Sequence, residues 1–122
     1  MGLFSKEKEI GFDEKRKKEN LKILKKSDRL KEAIAYTYLI YGDLMKEKYK
    51  KPRRIYQTIR EYAIICVNEC GVQPSLIYPF VKRVEDIIYG GKEPTEQEFQ
   101  NTLNTFSKLY SEIMGKEFNL SG

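Results

Sequence analysis

The apolar positions of this chain fall at helical spacing over most of its length. After Ser27, which is expected to cap a helix, Leu30, Ile34, Tyr38, Tyr41, Leu44 and Met45 line one face of an element running to about Lys50. Pro52 disfavours helical geometry at Lys51, so a connection carrying Arg53 and Arg54 should follow. A second helix is expected to open at Thr58, because Thr58-Ile59-Arg60-Glu61 has the form in which a threonine and a carboxylate satisfy each other's free amides. Ile59, Tyr62, Ala63, Ile64, Ile65, Cys66 and Val67 make that helix apolar on nearly every side, which predicts the central, most buried element, ended by Gly71.

Pro74 to Tyr78 reads as a short turn, with Pro79 at the first position of a third helix, where its missing N–H costs no hydrogen bond. Phe80, Val81, Val84, Ile87 and Ile88 then form a buried stripe, Lys82, Arg83, Glu85 and Asp86 face water, and Gly90 stops the helix in the left-handed conformation. The last helix opens on a second capping box at Thr95 and Glu98, and Phe99, Leu103, Phe106, Tyr110 and Ile113 recur along it. No segment alternates long enough to predict a strand. The expected class is all-α: a compact bundle of four to five helices, mostly antiparallel because the connections are short.

Residues 1–26 read differently. Ile10, Phe12, Leu21, Ile23 and Leu24 are the only apolar anchors in the charged stretch from 5 to 26, too few to fold alone. The expectation is a basic, partly helical N-terminal arm over 1–26, starting a helix near Asp13 and leaning Leu21 and Leu24 on a helical domain over 27–122. The first ten or so residues should be frayed.

The charge of +5 on 122 residues is polarised. Residues 1–31 carry 11 basic and 6 acidic side chains, 46–60 carry 7 and 1, and 61–122 carry 5 and 9. A basic front and an acidic back suit an anionic partner or ordered self-association, against the plainer reading of solvated helix faces. The chain has no apolar run near the roughly 20 residues that cross a bilayer, nor a signal-peptide pattern, so a soluble protein is expected. Abundant Lys, Glu, Ile and Tyr without His or Trp is a composition compatible with a thermophile.

Candidate chemistry is sparse. Without histidine there is no Ser-His-Asp or Cys-His arrangement and no imidazole proton shuttle. Cys66 and Cys70 share a helix face but cannot fill a zinc site or close an unstrained disulfide there, so they read as thiols of the core. Gly90-Gly91-Lys92 lacks the earlier glycine and the following Ser or Thr of a phosphate loop. Neither Glu85 with Asp86 nor Glu96 with Glu98 shares a face as a catalytic pair would. The expectation is therefore no enzyme, cofactor or metal. Cys66 to Val84 has the outline of a helix-turn-helix, yet Pro79 falls in its second half, and residues 72–81 offer no Arg or Lys to read bases. Non-specific phosphate contact through Lys46, Lys48, Lys50, Lys51, Arg53 and Arg54 asks only for positive charge. The start Met-Gly-Leu-Phe-Ser-Lys misses the myristoylation form by one place, although Leu3 and Phe4 beside a basic arm suit weak contact with an anionic membrane.

Arg29 to Ala63 followed by Gly71 to Tyr110 resembles the uncharacterised domain that closes many transglutaminase-like membrane proteins of bacteria and archaea. The resemblance is carried by Thr58, Arg60, Glu61 and Tyr62, by Tyr89, Gly90 and Gly91, and by Thr95, Glu96 and Glu98. A proline usually follows that threonine; here Ile59 does. The transglutaminase part and the membrane helices are not in this sequence. The resemblance implies a cytoplasmic helical appendage of a membrane-linked system, with no established activity to transfer. Taken together, the sequence points to a module that binds a protein partner or its own copy, with Arg53, Arg54, Arg60, Tyr62 and Tyr89 as candidate contact residues. The alternative is a non-specific nucleic-acid-binding protein using the basic connection over 46–60.

Overall fold

The computed structural model describes residues 13–120, which form five α-helices: α1 (Glu14–Lys26), α2 (Leu30–Tyr49), α3 (Ile59–Cys70), α4 (Pro74–Tyr89) and α5 (Glu96–Met114). The described part is all-α, as expected. The expected fraying of the first ten residues and the anchors Leu3, Phe4, Ile10 and Phe12 lie outside it.

Both capping boxes are present. Thr58 and Glu61 exchange side-chain and backbone bonds at the start of α3, and Thr95 and Glu98 do the same for α5. Each cap stabilises its helix by about 1 kcal/mol and fixes where the chain turns inward. Ser27 behaves otherwise than expected. Its N–H bonds the Ile23 carbonyl and so closes α1; Asp28, in the left-handed region at φ 60°, reverses the chain, and Arg29 precedes α2 without a side-chain cap.

Two further corrections concern α4. Pro74 to Tyr78 is its first turn rather than a separate one, and Pro79 sits inside the helix. Proline has no N–H to give the Ser75 carbonyl, but Ser75 and Pro79 are both exposed, so solvent serves that oxygen. At the other end Gly90 is right-handed (φ −79°), and Gly91 carries the positive φ. A Cβ on Gly90 would collide with the Asp86 carbonyl oxygen, so the first glycine answers a close backbone approach and the second a reversal.

Packing gives α2, not α3, the central place. α2 meets α1, α4 and α5; α4 lies against α2, α3 and α5. α3 rests chiefly on α4 and buries only Tyr62, Ala63 and Cys66, with Ile64 43% exposed. Its many apolar residues outnumber the neighbours available to cover them. α1 and α2, α3 and α4, and α4 and α5 run antiparallel, as the Lys17–Asp43, Arg60–Glu85 and Gln73–Glu112 contacts require. By contrast, Lys48 near the end of α2 donates to the Ile113 carbonyl near the end of α5 at 2.6 Å, and Lys51 just past α2 pairs with Glu69 near the end of α3, so α2 runs in the same direction as α3 and α5. Buried rings join four of the helices, α2 to α5: Tyr62 to Tyr41 and Tyr41 to Phe80 at 5.8 Å, Phe80 to Phe106 at 5.5 Å, and Phe106 to Phe118, beyond α5, at 4.9 Å.

α1 joins this core through Leu21, which is fully buried, with Leu24 packed at its edge. Its charged face is tied down as well. Lys17 pairs with Asp43 at 2.8 Å, and Glu14 accepts from the Tyr110 hydroxyl at 2.6 Å, Lys116 at 2.9 Å and Lys18 at 2.8 Å. Partial burial alone would raise the Glu14 pKa; those three donors outweigh it and hold the carboxyl at about 2, against an ordinary 4.5.

A carboxyl whose folded pKa is depressed stabilises the fold above its unfolded pKa and loses that effect as pH falls through the folded one. Glu14→Gln is thus expected to cost on the order of 2 kcal/mol at neutral pH, with the variant and wild-type urea stabilities converging between about pH 4.5 and about pH 2. Pro79→Ala restores a helical bond at an exposed site and should raise stability by about 1 to 2 kcal/mol in the same assay; a loss would mean that Pro79 sets the path that seats Ile77 and Phe80.

Candidate functional site

The connection between α2 and α3 is short, basic and held in one shape. Lys50 ends α2 in the left-handed conformation, and its N–H bonds the Lys46 carbonyl at 3.0 Å. The chain then closes a turn on itself. Gln57 N–H donates to the Arg54 carbonyl at 3.0 Å, and the Gln57 side-chain oxygen accepts from Arg54 N–H at 2.7 Å. The Arg53 guanidinium donates to the Gln57 carbonyl at 2.6 Å. From below, the Tyr62 hydroxyl donates to the Lys51 carbonyl at 2.5 Å.

At the tip of this turn stand Ile55, 95% exposed, and Tyr56, 77% exposed. Tyr89 at the end of α4, 73% exposed, belongs to the same end of the molecule: Arg60 at the start of α3 pairs with Glu85 at 2.6 Å, and Tyr89 lies one helical turn beyond Glu85. Both Arg53 and Tyr89 act electrostatically on the Tyr38 hydroxyl of α2, which ties the turn, α2 and the end of α4 together. Burial pushes the Tyr38 phenol up to about 12, with Arg53 opposing, and the hydroxyl finds no hydrogen-bond partner among the described residues.

Of the five candidate contact residues, Arg53 and Arg54 adjoin this tip in the chain, and Tyr89 shares with Arg53 an electrostatic effect on Tyr38. Arg60 is exposed but engaged by Glu85. Tyr62 is not a surface residue: at 1% exposure it packs edge-on to Tyr41 and spends its hydroxyl on the turn, so its part is support. Ile55 and Tyr56 escaped sequence reasoning because they belong to no helical stripe. The signal available was that very fact, two large apolar side chains between a proline-marked break and a helix cap, where a connection ordinarily carries polar residues.

A cavity of about 250 Å³ adjoins the turn and is lined by Lys50, Lys51, Pro52, Arg54, Gln57, Ile65 and Glu69. Lys51 pairs with Glu69 across it at 2.6 Å. Arg54 and Lys50 have no carboxylate partner among the described residues, and the Lys50 ammonium donates only to the Glu47 carbonyl, at 3.1 Å. A larger groove of about 950 Å³ runs between α1, α5 and residues 118–120, past Ile23, Leu103 and Phe118, with lysines and amides on its walls.

Neither thiol lines these openings, although Lys51 and Glu69 of the smaller one both act on Cys70. Burial pushes Cys66 up to about 11 despite the Tyr41 hydroxyl 3.2 Å from its sulfur, so it is a neutral core group at physiological pH; Cys70 is half-buried, also raised by burial, and unbridged. Among the described residues no three His, Cys, Asp or Glu side chains gather as metal ligands would. α3, Gly71 to Gln73 and α4 do form a helix, a turn and a helix, but the exposed start of α4 presents Ser75, Tyr78 and Pro79, and Gln73 is bonded to Glu112 at 3.2 Å. No helix among the described residues is long and apolar enough to cross a membrane. No family model matches the chain, and neither a curated protein nor a solved structure matches it.

The Tyr62 hydroxyl links the core to the base of the turn, beside the longer bond from Lys51 N–H to the Met45 carbonyl. Tyr62→Phe is expected to cost about 1 kcal/mol in global stability, while amide exchange across residues 51–57 accelerates more than exchange in α5. Uniform acceleration would show instead that the turn holds itself.

Proposed function

We propose that this chain is a helical interaction module that binds a protein partner through the turn over 53–56 and Tyr89. The observation that carries the reading is the exposure of Ile55 and Tyr56 on a backbone already fixed by its own hydrogen bonds. Apolar side chains held out in water have an unfavourable hydration that a partner relieves. Because the turn is ordered beforehand, little conformational entropy is lost on docking, and aromatic and arginine side chains are those that dominate such contacts. Action beside a membrane-linked system, as the resemblance to the transglutaminase-associated domain implies, belongs to the same proposal.

Tyr56 beside Arg53 and Arg54 supports a second reading. An exposed ring flanked by guanidinium groups can stack on a base while the cations meet phosphates. The two differ in what they trap. A photoreactive residue placed at Tyr56 in the native cell is expected to give a discrete protein adduct that Ile55→Ser abolishes without changing the unfolding midpoint. Labelling no different from that of the same probe at Lys108, exposed on α5, would overturn the module reading. A nucleic-acid adduct, lost steeply as salt is raised in extracts, would replace it with the second.

A further inference from the structure

We infer that the partner surface is acidic: an extended segment that places one carboxylate in the cavity beside the turn and an adjoining apolar side chain on Ile55 and Tyr56. The inference rests on the interaction-module reading and names the chemistry that reading leaves open.

Charge is the first argument. The cations on either side of the tip are neutralised within the molecule, Lys51 by Glu69 and Arg60 by Glu85. Arg53 and Arg54 between them, and Lys50 just before them, are not. Arg53 gives its guanidinium to two carbonyl oxygens, Lys50 bonds a carbonyl, and Arg54 has no ion pair among the described residues. Three cations without an ion pair among the described residues thus stand beside the exposed Ile55 and Tyr56.

Shape is the second. The cavity of about 250 Å³ has Lys50 and Arg54 on its wall, Gln57 and Ile65 beside them, and room on the scale of one side chain. A guanidinium and an ammonium lining a recess suit a carboxylate, which can accept from both. The recess also bounds the class of partner. Glu69 lines the same cavity, and Glu61 stands exposed at the helix start that follows the turn. A flat anionic bilayer or a nucleic-acid backbone would press phosphates on those carboxylates along with the arginines, whereas a peptide can present a single acid to the recess and keep the rest of its charge clear.

The test uses the full chain with a synthetic peptide in which Asp and Glu flank a central Leu-Phe pair, and its isomer with Asn and Gln in their place, read by fluorescence anisotropy. The acidic peptide is expected to bind about tenfold or more tightly than the amide isomer, as loss of charge-assisted hydrogen bonds implies. Lys50→Gln with Arg54→Gln should remove that difference without shifting the unfolding midpoint, and Ile55→Ser should weaken both peptides. Equal binding of the two peptides, or none, overturns the inference; the module reading then stands or falls on the adduct formed at Tyr56. Tighter, arginine-dependent binding to phosphatidylserine-containing vesicles or to single-stranded DNA than to the acidic peptide overturns it as well, in favour of a phosphate-bearing partner.

Discussion

The structure depends on one run of touching aromatic rings. Tyr62, Tyr41, Phe80, Phe106 and Phe118 bring α3, α2, α4, α5 and the chain after α5 to a common line, and the flanking Leu, Ile and Val side chains pack around it. Rings of this size each remove a large apolar area from water, and tilted or edge-on contacts add a directional preference that aliphatic packing lacks. Helices of 12 to 20 residues are held only weakly by their own propensity in water; the ring contacts supply tertiary packing that stabilises them. The same line ends at Tyr62, whose hydroxyl leaves the core to grip the base of the turn. Surface geometry at the tip is thus an extension of core geometry.

That link explains why a turn of so few residues can hold two large apolar side chains in water. Ile55 and Tyr56 gain nothing from their own exposure. The turn keeps them there because Gln57 closes it from one side and Tyr62 from the other, with Arg53 laid across the closing carbonyl. A floppy connection would fold such side chains back onto the nearest apolar surface. On the proposed function, this hydrogen-bonded frame is what makes two otherwise misplaced hydrophobic residues a contact surface.

Local chemistry was the legible part of the sequence. Thr58 with Glu61 and Thr95 with Glu98 announce helix starts because each pair satisfies donors within four residues, with no help from the rest of the fold. The stripe of α5 from Phe99 to Ile113 was equally readable, since one face meets one core. What failed was anything decided by neighbours. Pro79 looked like a start because an N1 proline is cheap, yet Pro74 already held that place and solvent could tolerate the gap. α3 looked central because its residues are apolar, but only packing decides which of them are covered. Tyr62 entered the candidate contacts through the resemblance, while its apolar spacing already pointed inward, where it lies. The site itself was half visible: the arginines stood out by charge, whereas Ile55 and Tyr56 become conspicuous only once exposure is known.

The parallel course of α2 and α5 has a temporal consequence. The central helix completes its packing on a partner that lies about fifty residues further along the chain, from Tyr49 to Glu96 and beyond. A ribosome making this protein therefore releases α2 with its face toward α5 still bare, and only α1 at hand to shield a neighbouring one. α1 covers only its own face of α2 through Leu21, so the face toward α5 stays open to other chains until the last third of the sequence has been made.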